Sequence, residues 1–147
     1  MGVMRPQMLR SASSLAKTLG STDVSVQALE VLSENSFDSI LMTDAAQGNI
    51  TYANKAFTLL TGHAATDVIG ESPKILQGEG TDPKVISRLA DALKSGADFE
   101  GTAINFKKDG TPFIMYWRVV PVKVSGEIQA WMAIQREGSS SHVTFNN

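Results

Sequence analysis

The side chains able to do chemistry in this chain are few, and none is a thiol. Its 147 residues include no cysteine, which excludes disulfides, thiolate metal sites and thiol nucleophiles. The two histidines, His63 and His142, are far apart and have no supporting carboxylate pattern, so they make a poor metal site. No glycine-rich phosphate loop, nucleophile elbow or metalloprotease motif occurs. With no thiol and no placed base, the sequence predicts no catalysis. What remains is recognition chemistry. Asn105 and Gln135 carry amides that both donate and accept. Trp117, Trp131 and Tyr116 offer broad aromatic surface with a polar tip. Residues 70 to 78, Gly-Glu-Ser-Pro-Lys-Ile-Leu-Gln-Gly, set Pro73, Lys74 and Gln77 close together.

The elements that must position these groups follow from periodicity and punctuation. Residues 5–19 carry Met8, Leu9, Ala12, Leu15, Ala16 and Leu19 at helical spacing, and Gly20 stops them. Ser21-Thr22-Asp23 caps a second helix running to about Glu34, with Val24, Ala28, Val31 and Leu32 on one face. Strands over 40–44 and 50–53 form a hairpin around Gly48. Asn54 caps a short helix closed by Gly62, and residues 63–77 read as turns broken by Gly70 and Pro73. Thr81-Asp82-Pro83 opens a longer helix whose apolar face is Val85, Ile86, Leu89, Ala92 and Leu93, ended by Gly96. Three strands follow at about 99–107, 112–122 and 127–136, joined by Lys108-Asp109-Gly110 and Ser125-Gly126. This order predicts an α+β fold, a five-stranded antiparallel sheet with helices on one face. Its concave side is a natural small-molecule cavity. Residues 1–36 are expected to form an N-terminal helical cap, 37–137 the main domain and 138–147 a flexible tail.

Composition narrows the partners. A hydrophobic fraction of 42% suffices for a core. A net charge of −2, with only Arg5, Arg10 and Lys17 scattered near the start, gives no basis for binding nucleic acid or an anionic membrane. No apolar run approaches the roughly 20 residues of a membrane span. The opening Met-Gly-Val-Met-Arg-Pro makes a poor export signal, and Gly2 lacks the Ser or Thr that myristoylation expects. A cytoplasmic location is therefore expected.

Several pieces together resemble a known family. Tyr52-Ala53-Asn54-Lys55-Ala56-Phe57, Thr61-Gly62-His63, Val68-Ile69-Gly70, Asn105 to Gly110 and Pro121-Val122 are similar to those of bacterial PAS domains. Ile75-Leu76-Gln77-Gly78 before Thr81-Asp82-Pro83, with Ile134-Gln135-Arg136-Glu137, resembles the blue-light-sensing LOV branch of that fold. The likeness covers about residues 37–137. In that branch the segment at 70–78 carries a cysteine whose sulfur bonds to an excited flavin. Here Pro73 occupies that place, so the resemblance implies a sensor without its familiar photochemistry.

The resemblance also implies a site. Asn105 and Gln135 match two positions that read the edge of the flavin ring, and Thr43 and Gln77 match two more pocket positions. Met115 stands where a third ring-reading residue, usually Asn, would be. On the phosphate side Lys74 replaces one arginine and Ala90 sits where a second would be, with Arg88 one helical face away. Trp117 and Trp131 fall where Phe often lies beside the ring. Each has a plainer reading: the amides tie strands together, Met115 and the tryptophans fill the core, Lys74 is a solvated charge, and Pro73 is a rigid turn element. Histidine 63 is expected in an exposed or packing role, since haem-binding PAS domains take a ligand from the long helix, which has no histidine.

Two functions therefore stand open. One is a sensor binding a small ligand, FMN or FAD, and signalling through its sheet and flanking helices to a downstream partner. Its candidate electron donors are Trp117, Trp131 and Tyr116. The other is a cofactor-free interaction module whose pocket is filled by Met115, Trp117 and Trp131, and behind both stands an apolar small ligand in the same cavity. A homodimer is expected on either reading, through the outer sheet face and residues 5–34.

Overall fold

The computed structural model describes residues 22–139. The helix expected over 5–19, the tail beyond 139 and His142 lie outside them. The chain divides into two units, Met1–Ser36 and Phe37–Asn147. In the first, α1 spans Thr22–Glu34, where the capping signal predicts a helix. It carries Val26, Leu29, Val31 and Leu32 as exposed apolar residues.

The second unit is a five-stranded antiparallel sheet with helices. Its strands are β1 (Ser39–Asp44), β2 (Ile50–Ala53), β3 (Phe99–Phe106), β4 (Pro112–Val124) and β5 (Glu127–Glu137), in the order β2-β1-β5-β4-β3. Between β2 and β3 lie α2 (Lys55–Thr61), α3 (Ala65–Val68), a 3-10 turn (Pro73–Leu76) and α4 (Pro83–Ser95). The expected α+β architecture is the one observed.

Local chemistry explains the joints. Asn54, fully buried, does more than cap α2. Its Oδ1 accepts from Phe57 N at 3.0 Å and from Ile40 N at 2.8 Å, and its Nδ2 donates to the Asp38 carbonyl at 3.0 Å. One side chain thus pins the start of β1 to the helix after β2. Replacing it would strand buried backbone groups, at a cost of about 1–3 kcal/mol for each. Asp82 caps α4 by accepting from Lys84 N at 2.9 Å, Pro83 fills the first turn where no amide hydrogen is needed, and Gly96 ends the helix left-handed at φ 73°.

Period-two alternation sends one set of side chains to the inner face. The register aligns Ser39, Gln135, Trp117 and Gly101 across four strands in one rung, and Leu41, Ala133, Val119 and Phe99 in the next. Trp131 stands opposite Thr43 and Pro121 beyond these, while Ala103 with Met115, then Asn105 with Phe113, continue the face in the other direction. The core lies between this face and the helices, built around Leu41, Phe57, Val68, Leu76, Phe99, Met115 and Trp117.

Gly101 has no room for a side chain. A Cβ there would fall 2.5 Å from Phe99 Cζ and 3.2 Å from an Arg88 guanidinium nitrogen. The Phe99 ring packs on Trp117 with centroids 5.2 Å apart, and the Arg88 guanidinium carbon lies 5.1 Å from the Phe99 centroid.

Candidate functional site

A cavity of about 490 Å³ opens at one end of the inner face. That volume is in the range of small-molecule sites, about 300–1,000 Å³. Its floor is the sheet: Leu41 and Thr43 from β1, Trp117 and Val119 from β4, and Trp131, Ala133 and Gln135 from β5. One wall is α4, through Ile86, Leu89, Ala90, Leu93 and Lys94. Another is the segment around the 3-10 turn, through Ser72, Pro73, Lys74 and Gln77, and the β1–β2 turn closes the end. Of the apolar face expected on α4, Ile86, Leu89 and Leu93 line this cavity and Ala92 is buried in the core.

Six of the eight residues singled out from the sequence meet here: Thr43, Lys74, Gln77, Trp117, Trp131 and Gln135. Asn105 and Met115 do not line it. They sit further along the inner face, buried at 4% and 1% exposure. Asn105 Nδ2 lies 3.3 Å from the Met115 sulfur. Turned over, the amide satisfies both ends, its nitrogen lying 3.3 Å from the Leu76 carbonyl and 3.2 Å from the Ile104 carbonyl. Either way its partners are protein groups, and it ties β3 to its surroundings.

Gln135 is placed differently. It is 4% exposed, and its Oε1 accepts from Ser39 Oγ at 3.0 Å. Its Nε2 has no acceptor among the described residues, although the side chain lines the cavity. Nε2 is not shut off from solvent, and the carbonyl or ring nitrogen of a bound ligand could accept from it.

Pro73 occupies the first position of the 3-10 turn, where Ser72 Oγ accepts from Lys74 N at 3.2 Å. It contributes a ring without a reactive group to the cavity wall. Gly78 is fitted tightly, because a Cβ there would fall 2.6 Å from the Phe106 ring. Thr81 Oγ1 accepts from Gly78 N at 3.1 Å and donates to the Ile104 carbonyl at 2.7 Å, fastening this segment to β3. Sequence reading gave no weight to Asp44 or Gln47 as cavity residues, and the signal was local. Asp44 accepts from Gln47 N at 2.6 Å and Asn49 N at 3.2 Å, an Asp-initiated turn readable as such. The Gln47 amide holds the Asp44 carboxyl below the usual carboxylate range.

Tyr116 points to the opposite face of the sheet from the cavity. Its hydroxyl donates to Glu100, which also accepts from Arg118 Nε at 3.2 Å and Nη2 at 2.9 Å. Arg88 donates to the Glu100 carbonyl at 3.2 Å and lies on Phe99, so its guanidinium is committed beside β3. His63 is half-buried and stacked on Phe57 with centroids 6.5 Å apart. Burial, with the Lys108 charge adding to it, holds its imidazole below its usual range. Among the described residues no group of three His, Cys, Asp or Glu could hold a metal, and no helix is long and apolar enough to cross a membrane.

A family model for the PAS fold matches residues 27–137. The chain belongs to the PAS fold family. This PAS domain is 30% identical over 137 residues to Phototropin-1A of Oryza sativa subsp. japonica, matching 91% of this chain and 14% of that protein. It is 39% identical over 87 residues to a blue-light-activated histidine kinase of Brucella anthropi, matching 58% of this chain and 18% of the kinase. The chain therefore spans under a fifth of either relative. Among solved structures, one described as "Flavin Analogue Sheds Light on Light-Oxygen-Voltage Domain Mechanism" is 26% identical at a TM-score of 0.73, covering 82% of this chain and 89% of that one. An RNA-binding light-oxygen-voltage receptor is 28% identical at a TM-score of 0.76, covering 82% and 35%. The PAS domain is thus LOV-like in its neighbours and has no cysteine.

Proposed function

We propose that this PAS domain is a sensor that holds a flavin nucleotide, FMN or FAD, in the cavity beside β1 and β5, and signals without a sulfur–flavin bond. The observation that carries the reading is Gln135, whose side chain lines a cavity floored by two tryptophans and whose Nε2 has no acceptor among the described residues. Planar aromatic surface with a hydrogen-bond acceptor at its edge is the ligand chemistry such a floor favours. The relatives with light-oxygen-voltage and blue-light names support a flavin over other planar ligands. Fold alone would not carry that step.

When bound, a flavin supplies blue-light absorption and a one-electron redox centre. The chain's residues do the rest. Trp117 and Trp131 line the cavity and would be the candidate electron donors beside a bound ring, whereas Tyr116 lies across the sheet. Gln135 reads the protonation of the ring edge, since its amide presents a donor in one orientation and an acceptor in the other. Turning it over would bring Nε2 to Ser39 Oγ, so the hydroxyl would have to accept where it now donates. Ser39 begins β1, and the adjacent pair, Asp38 and Arg136, is bonded at 2.7 Å on the other face. A change at Gln135 therefore reaches the start of β1 directly, and the outward route runs through the sheet to the flanking helices and a downstream partner.

The outer face carries Ile40, Met42, Val120, Met132 and Ile134, all half-buried, and we assign a homodimer to it together with residues 5–34. A monomeric mass unchanged by deleting residues 1–34 would contradict that assignment. A second reading, a cofactor-free interaction module, is favoured by the closed packing of Asn105 and Met115. Flavin uptake separates the two. Saturable binding of FMN or FAD by the purified chain, weakened in Gln135→Leu, is expected; refusal of both flavins leaves the module.

A further inference from the structure

Each side of β4 carries an aromatic residue that can give up an electron, and the two are neighbours in the chain. Trp117 is buried on the inner face and lines the cavity. Tyr116 stands half-buried on the outer face. Across the trans peptide between them their Cα atoms are about 3.8 Å apart. The Tyr116 hydroxyl donates to Glu100 Oε2, while Glu100 Oε1 accepts from Arg118 Nε at 3.2 Å and Nη2 at 2.9 Å. The two carboxylate oxygens thus have separate tasks. One is fixed by the guanidinium, and the other is aimed at the phenol proton. The bond to Glu100 pushes the Tyr116 hydroxyl above its usual range, and the bonds from Tyr116 and Arg118 hold Glu100 below its own. The resting pair is therefore a phenol beside a carboxylate. The chain's other tyrosine, Tyr52, lies on β2, with β1 and β5 between it and β4.

We propose that Tyr116 and Glu100 form a proton-coupled redox site on the outer face, which supplies an electron through the sheet to oxidised Trp117. The oxidant is a one-electron acceptor in the cavity, either a photo-oxidising aromatic ligand or a small radical, and it removes one electron from Trp117. Tyr116 then gives one electron to the indole, and its phenol proton passes to Glu100 Oε2. The O–H bond of Tyr116 breaks and an O–H bond forms on Glu100. Trp117 is restored, with a proton from water where the indole had released its own. Tyr116 is left as a neutral phenoxyl radical beside a neutral carboxyl group. The proton has to leave because an oxidised phenol is far too strong an acid to keep it, and Glu100 is the acceptor already in place. The oxidised centre thereby moves from the cavity floor to the outer face, away from the acceptor it reduced. The site goes beyond the ligand-sensor reading, since it needs an oxidant in the cavity and no particular ligand.

Pulse radiolysis of the ligand-free full chain tests the site, with the azide radical as oxidant because it attacks tryptophan in preference to tyrosine. Transient absorption follows the tryptophanyl and tyrosyl radical bands. In the wild type, tryptophanyl decay and tyrosyl growth should share one first-order phase whose rate is independent of protein concentration. Tyr116→Phe, which removes only the hydroxyl, should lose that phase, and Tyr52→Phe should keep it. Trp131→Phe leaves Trp117 as the sole tryptophan and should keep it too. Glu100→Gln should slow it roughly tenfold and reduce the slowing that D2O causes in the wild type; a positioned base usually contributes more, but Glu100 is exposed and water competes for the proton. A phase that survives Tyr116→Phe, that disappears in Trp131→Phe, or that keeps its rate in Glu100→Gln overturns the site, as does its absence from the wild type. No flavin is present in this experiment, so refusal of FMN and FAD would sink the flavin reading and leave the redox site standing.

Discussion

The inner face of the sheet has two ends that treat polar side chains in opposite ways. At the β3–β4 end, Asn105 lies against Met115, Leu76 and Ile104, and every partner within reach is protein. At the β1–β5 end, Gln135 accepts from Ser39 through its oxygen, its side chain lines about 490 Å³ of space, and its nitrogen has no acceptor among the described residues. Both amides are 4% exposed. Burial alone therefore does not mark a binding residue. A binding residue is marked by an unspent donor facing room for a ligand. The closed end stabilises the fold, and the open end is where a ligand would contribute what the protein lacks.

Substitutions should separate the two ends. The largest effect is expected from Met115→Ala, which should cost about 2–5 kcal/mol in chemical denaturation as a large-to-small change in a packed core. Flavin affinity of the folded fraction should be unchanged; a specific loss of affinity would show that the closed end also touches ligand and would erase the contrast. Gly101→Ala comes next, at about 1–3 kcal/mol, because the added methyl must displace Phe99 or Arg88. Its crystal structure should show the Phe99 ring moved off Trp117. At the open end, Gln135→Leu should cost about 1–3 kcal/mol, since the buried Ser39 hydroxyl loses its acceptor. Its FMN affinity should also fall about tenfold, the equivalent of one hydrogen bond, by isothermal titration. The smallest effect concerns the outer face. The Tyr116 hydroxyl, and then Arg118, hold the Glu100 carboxyl below its usual range. A depressed carboxylate stabilises the fold above its unfolded pKa of 4.5, and that stabilisation is lost as pH falls through the lower folded value. The stability difference between the wild type and Glu100→Gln should therefore be present at neutral pH and vanish in acid, with no change in ligand binding.

Much of this was legible in the sequence because it is written in local signals. The caps at Asn54 and Asp82, the stops at Gly62 and Gly96 and the hairpin turns act over a few residues, so the element order could be read directly. Composition and resemblance brought six site residues to one cavity. The split between Asn105 and Gln135 was not legible. Both are strand amides at matching positions of a known pocket, and the difference lies in what stands opposite. For Asn105 that is Met115 and the Leu76 carbonyl, the latter 29 residues away in the chain; for Gln135 it is Ser39, 96 residues away. Lys94 was overlooked for a related reason. As a lysine in the last turn of a helix it reads as a partner of the helix dipole, and only the packing of α4 over the sheet brings it to the cavity.

Titration of the purified full chain with FMN, followed by visible absorption, tests the central claim most directly. If the open end holds a flavin, the chain takes up one equivalent with a sharpened blue band, Gln135→Leu weakens that uptake, and Asn105→Ala leaves it intact in the protein that remains folded. Failure to bind either FMN or FAD, or binding that depends on Asn105 and not on Gln135, would contradict it.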